Sequence, residues 1–240
     1  MEALLSSGGP ELDVLVGPLR FGLDKTGSYI QQRRNSTTFS NVNSASPAGV
    51  KTITINCGSS SEWLDPSTVL LSFLITNTDG TNALWPATPS AACLFDRLQI
   101  RLGSTLVEDI QDYGKLTHIM EMLSMSPQKK MDMAHLGFGT QAASADGSYF
   151  LADQHDAQTI PASGSKRVYM KFDLSGLFSN AKGSWIPLFA LGGQGLSLQI
   201  SLAPANQAMI ISHGGTTYSQ GYNLTDIRLL ADMCSLSGEL

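Results

Sequence analysis

Side chains able to do chemistry are few in this sequence, and they are scattered. Asp153-Gln154-His155-Asp156 offers two carboxylates and an imidazole within four residues, and Asp146 or His135 could complete a metal-ligand set. A metal site needs its ligands held by a surrounding frame of hydrogen bonds, and the Gly-, Ala- and Ser-rich sequence here supplies none. The tetrapeptide reads as a solvated polar loop. Asp96, Glu108, Asp109 and Asp112 raise the question of paired-carboxylate catalysis, but a helix cap plus exposed strand ends accounts for all four. Gly192-Gly193-Gln194-Gly195 precedes an apolar strand where a phosphate loop would precede a helix, and His213-Gly214-Gly215 has the composition of a tight turn. Arg33-Arg34, with Lys25 nearby, reads as a solvated strand edge more readily than as a nucleic-acid contact. The sequence contains no Gly-x-Ser-x-Gly elbow, Walker loop or His-Glu-x-x-His helix. The expectation is therefore a protein that is not an enzyme, with no catalytic residues, no cofactor and no metal. In particular, no hydrolytic or metal-dependent activity is expected from Asp153, His155 or Asp156.

Composition points the same way. Charged residues make up 15% of the 240 and hydrophobic ones 42%, against about 25% charged in ordinary soluble proteins. Such a surface must be uncharged and polar, or covered by partners. A net charge of −5 argues against a domain built to grip phosphates, so no specific nucleic-acid binding is expected. Cys57, Cys93 and Cys234 are far apart and odd in number, which favours free buried thiols in a reducing compartment. The N-terminus lacks a secretory pattern, and no apolar run approaches the roughly 20 residues of a membrane helix. A soluble, intracellular site of synthesis follows, with no membrane span.

Most of the chain alternates apolar and polar residues. Val69, Leu71, Phe73 and Ile75 share one parity; so do Leu94, Leu98, Ile100 and Leu102, then Val168, Met170, Phe172 and Leu174, then Leu196, Leu198, Ile200 and Leu202, and finally Ile227, Leu229, Ala231 and Met233. Period-two patterning places each set on one face of a strand, and the Val168 to Leu174 set is expected to face the core. Half-wet strands of this kind build antiparallel sandwiches. Gly103-Ser104 predicts a two-residue hairpin. One helix is predicted from a cap at Asp112 through Tyr113, Leu116, Ile119, Met120 and Leu123, closed by Pro127. Residues 1–25 read as an N-terminal arm. Residues 127–165, with Phe138, Tyr149 and Phe150 among small and polar residues, read as a long surface excursion.

The order of several motifs resembles a known family. Tyr29-Ile30-Gln31-Gln32-Arg33-Arg34-Asn35-Ser36-Thr37-Thr38-Phe39, the hairpin run from Ala92 to Ile110, Phe172-Asp173-Leu174-Ser175-Gly176-Leu177-Phe178 and Trp185-Ile186-Pro187-Leu188-Phe189-Ala190-Leu191 occur in sequence, and the Leu196 to Leu202 strand follows them. Together they are similar to the first barrel of double jelly-roll major capsid proteins of nucleocytoplasmic large DNA viruses. Trp63-Leu64-Asp65-Pro66-Ser67-Thr68-Val69 is similar to the corresponding proteins of Polinton-type elements.

The resemblance implies an all-β fold, a jelly-roll β-sandwich of two antiparallel sheets with one short helix in a connection, over residues 26–240. Family members carry two such barrels, so this domain corresponds to the first. It further implies a structural protein of the virion capsid, made in the host cytoplasm or nucleus. Its partners would be itself, as a homotrimeric capsomer with capsomer–capsomer contacts tiling an icosahedral shell, and minor capsid proteins. The rival reading is a glycan- or ligand-binding sandwich with Trp85, Tyr149, Phe150 or Tyr218 in a recognition loop.

Overall fold

Strict alternation produces strands wherever it occurs. The computed structural model describes residues 30–58, 61–124, 136–139, 158–179, 185–191, 195–213 and 215–236. Within them the chain forms β1 (Ile30–Phe39), β2 (Ser44–Ala45), β3 (Thr52–Cys57), β4 (Trp63–Asn77), β5 (Phe95–Leu102) and β6 (Thr105–Gln111). Helix α1 (Tyr113–Ser124) follows, then β7 (Ser165–Lys171), the helical turn α2 (Gly176–Ser179), β8 (Ile186–Pro187) and β9 (Leu196–Leu202). A second helical turn, α3 (Ala205–Ala208), leads to β10 (Ser212–His213), β11 (Thr216–Thr217) and β12 (Tyr222–Leu236).

One sheet runs β1-β12-β4-β7 and the other β3-β9-β5-β6, with every neighbouring pair antiparallel. Counting the eight long strands in chain order, this is 1-8-3-6 facing 2-7-4-5, the interleaved double Greek key of a jelly roll. The two inner faces supply the core. Ile53, Ile55, Leu71, Phe73, Ile75, Leu98, Ile100, Val168, Met170, Leu198, Ile200, Leu229, Ala231 and Met233 are all buried, and Phe73 meets Phe95 edge-on at 5.7 Å between ring centres. Of the Val168 to Leu174 set, three are buried and Leu174 packs half-buried against the core, while Lys171 and Asp173 are exposed. All three cysteines are buried, and burial pushes the Cys93 thiol up to about 11.

The Trp63 to Val69 motif has a mechanical explanation. Leu64 is buried on one parity and Val69, Leu71 and Phe73 on the other, so the strand must change phase between them. It does so at a bulge, where β12 pairs Leu230 with Leu70 but Asp232 with Asp65. The Asp65 carboxylate accepts from the Ser67 N–H at 3.1 Å and the Ser67 hydroxyl at 2.6 Å, and Pro66 sits where no ladder donor is needed. The Thr68 hydroxyl then accepts from the Asp232 N–H at 2.9 Å, replacing the ladder bond that the bulge removes.

Gly103 and Ser104 form the expected two-residue turn, with Leu102 opposite Thr105 and Gly103 at φ 60. The surface excursion expected over 127–165 is corrected in part. Of the two stretches described, 136–139 buries the Phe138 ring completely and 158–164 pairs Ile160 with Leu84. The Phe138 N–H donates to the Pro89 carbonyl at 2.8 Å, and the Leu136 carbonyl accepts from the Tyr169 N–H at 2.7 Å, which covers the outer edge of β7. Tyr149, Phe150 and the arm at residues 1–25 lie outside the described residues.

Candidate assembly surface

Helix α1 starts directly after β6. The Asp112 carbonyl accepts the first helical bond, from the Leu116 N–H at 3.0 Å. Its carboxylate, expected to cap the free amides, instead takes the Lys115 ammonium at 2.6 Å, with Asp112 in a left-handed conformation at φ 51. That conformation turns the chain sharply from strand to helix.

The face that α1 buries differs from the one its apolar spacing predicts. Tyr113, Gly114, Thr117 and Glu121 are buried against the barrel, and the Thr117 hydroxyl donates back to the Tyr113 carbonyl at 2.8 Å. Gly114 makes this docking possible, because a Cβ there would lie 2.5 Å from the Ala92 oxygen and 2.9 Å from the Phe95 oxygen. Most of the apolar stripe lies on the outside: Leu116, Ile119 and Met120 are about half exposed and Leu123 is 80% exposed, with Met122 beside them. Tyr113 is thus the one member of the predicted face that reaches the core. A groove of about 330 Å³ runs along the first turns of the helix, lined by Phe95, Asp96, Gly114, Lys115, His118 and Ile119 among others.

The four carboxylates considered for catalysis are not brought together for it. Glu108 accepts from the Ser175 hydroxyl at 2.7 Å and the Leu177 N–H at 2.5 Å, while the Ser175 oxygen accepts from the Phe178 N–H at 3.2 Å, so these residues together cap α2. Asp109 accepts from Arg97 Nε at 2.8 Å and from Gln99 at 3.1 Å, and the hydrogen bond to Arg97 holds its carboxyl below the usual range. Asp112 pairs with Lys115, and Asp96 lies half-buried on the groove. Glu108→Ala is expected to cost about 1–2 kcal/mol through loss of the α2 cap, read as a lower urea midpoint. An unchanged midpoint would contradict the cap.

Asp146, Asp153, Gln154, His155, Asp156 and His135 lie outside the described residues, as do Lys25, Gly192, Gly193 and Gln194. Among the described residues no group of three His, Cys, Asp or Glu side chains converges as a metal site requires, and no helix is long and apolar enough to cross a membrane. His213 ends β10, and Gly215 lies in the turn before β11 at φ 82, as a tight-turn composition predicts. Arg34 lies on β1, an edge strand, and pairs with Glu62. Trp85 is corrected as a recognition residue: it is 4% exposed, with its ring edge-on to Tyr218 at 4.7 Å and to His213 at 5.3 Å. A sugar-stacking platform must present its ring face to solvent, and this one does not.

A family model described as the major capsid protein N-terminus matches residues 67–236, from within β4 to the end of β12. This chain belongs to that family. The capsid domain is accordingly a structural protein and not an enzyme. Its fold is similar to that of a chain in the quasi-atomic model of the PBCV-1 virus capsid, with a TM-score of 0.55 at 12% identity, covering 87% of this chain and 43% of that one. It is also similar to a chain of the Sputnik virophage structure determined by cryo-EM, with a TM-score of 0.50 at 11% identity, covering 88% of this chain and 49% of that one. The capsid domain therefore spans a little under half the length of these solved chains. A comparison with curated protein sequences finds no match. The signal that sequence reasoning missed was the second stripe on α1: Tyr113, Thr117 and Glu121 recur every four residues beside a helical glycine, Gly114.

Proposed function

We propose that the capsid domain works by association, as a subunit of trimeric capsomers that tile a closed viral shell. The family match over residues 67–236 carries this reading. Low charge content and the exposed apolar stripe of α1 support it, since a solitary protein seldom leaves a contiguous apolar patch uncovered. In this reading residues 26–240 are the first of two jelly rolls, and residues 1–25 are an N-terminal arm. The second roll completes the capsomer wall. The protein is made in the host cytoplasm or nucleus, contacts minor capsid proteins in the virion, and carries no catalytic, cofactor or metal site. Three single rolls present three walls, whereas three double rolls present six and approximate a hexagon, the shape that tiles.

Light scattering coupled to size exclusion tests the stoichiometry. The chain alone is expected to associate weakly and in a concentration-dependent way, and the chain joined to a second jelly roll of the family to give a stable three-copy mass. A strict monomer at both lengths that binds on a glycan array would favour the recognition-module reading instead.

A further inference from the structure

We infer that the exposed face of α1 is a symmetric seam, meeting the same face of a second copy across a two-fold axis. The inference rests on the shell-subunit reading above and adds to it a place and a symmetry. Leu116, Ile119, Met120 and Leu123 follow the i, i+3, i+4, i+7 spacing of one helical stripe, and Met122 widens it. From their fractional exposures the patch amounts to on the order of 500 Å², at the upper end of what a monomer leaves uncovered.

Two observations identify the occupant as another α1. The first is that no other described segment of the chain offers a comparable run: elsewhere among the described residues the large exposed apolar side chains are single in sequence or one adjacent pair, namely Phe39, Val50, Leu106 with Val107, Phe189 and Ile211. A head-to-tail contact needs a second patch of matching extent, and a two-fold contact uses the same patch twice. The second is area: two copies of this patch, fully covered, bury roughly 1,000 Å² in total, the lower limit for a biological interface and the size of a weak, concentration-dependent contact. Charge presents no obstacle. The stripe itself carries no ionisable group, and Lys115 at its rim is paired with Asp112. Antiparallel packing about the two-fold also sets the positive end of each helix dipole beside the negative end of the other. In a shell of threefold capsomers, such a contact joins one capsomer to the next.

The stripe is centred on Ile119 and Met120, so a two-fold there brings identical positions of the two copies face to face. In the full chain, Met120→Cys is expected to form a disulfide-linked homodimer under mild oxidation, because the three native thiols are buried and symmetric positions at a two-fold can reach disulfide distance. Leu123→Glu, at the most exposed position, should abolish concentration-dependent pairing of the otherwise unmodified chain and leave its melting temperature unchanged. With a second jelly roll attached, the same variant should still form three-copy capsomers and fail to join them. Equal association of the parent and Leu123→Glu, or a Met120→Cys chain that stays unlinked under mild oxidation while the parent associates, would overturn the seam while leaving the shell reading standing. A parent chain that never associates at either length would overturn both.

Discussion

Phe172→Ala is expected to lower the stability of the capsid domain by about 3–5 kcal/mol. The residue follows β7, is 2% exposed, and packs its ring at 5.4 Å from that of Phe178 in α2. Truncation removes the transfer energy of the ring and leaves a cavity between the end of β7 and α2. Neither element can collapse into that space without breaking the tie of α2 to Glu108. For a domain whose total stability is on the order of 5–15 kcal/mol, such a loss moves the urea midpoint far enough to be unmistakable. Phe172→Leu, which keeps most of the volume, should cost less. Equal midpoints for Phe172→Ala and the parent would mean that the ring is not part of the core.

Gly114→Ala is the second large effect, and its sign is diagnostic. In an exposed helix the change would stabilise by up to about 1 kcal/mol, because glycine has the poorer propensity. Here the new methyl would meet the Ala92 and Phe95 carbonyl oxygens at 2.5 Å and 2.9 Å, and both belong to backbone that cannot rotate away. The helix must lift, and a loss of about 1–3 kcal/mol is expected. A rise in melting temperature would show that α1 does not dock as closely as described.

Those two positions differ in how far the sequence discloses them. Phe172 is legible because strict alternation with Lys171 and Asp173 allows only one inward parity. The same rule places the cores of β4, β5, β9 and β12, and the Gly103-Ser104 turn follows from backbone geometry alone. The order of the strands between the two sheets is not a local property, and the resemblance supplies only the jelly-roll architecture. Helix α1 is legible as a helix, but the face it turns to the barrel is not, for a physical reason: an apolar stripe marks what a helix buries, but not whether the burial is against its own barrel or against another molecule. In a protein that works by assembly, the second case is open. Trp85 stands among the candidates of the rival recognition-loop reading because residue type alone does not reveal burial. Phe138 was hidden by small and polar neighbours whose composition reads as a loop. The Glu108 cap was beyond reach, because its hydroxyl partner, Ser175, lies 67 residues away in sequence.

Whether this domain works by building a shell is decided by electron microscopy of the particles formed by the chain alone and by the chain joined to a second jelly roll. Small irregular associations are expected from the single roll, and threefold tiles closing into regular shells from the double one. Regular closed shells from the single roll would contradict the two-roll capsomer, and dispersed monomers at both lengths would contradict the claim that this domain functions by building a shell.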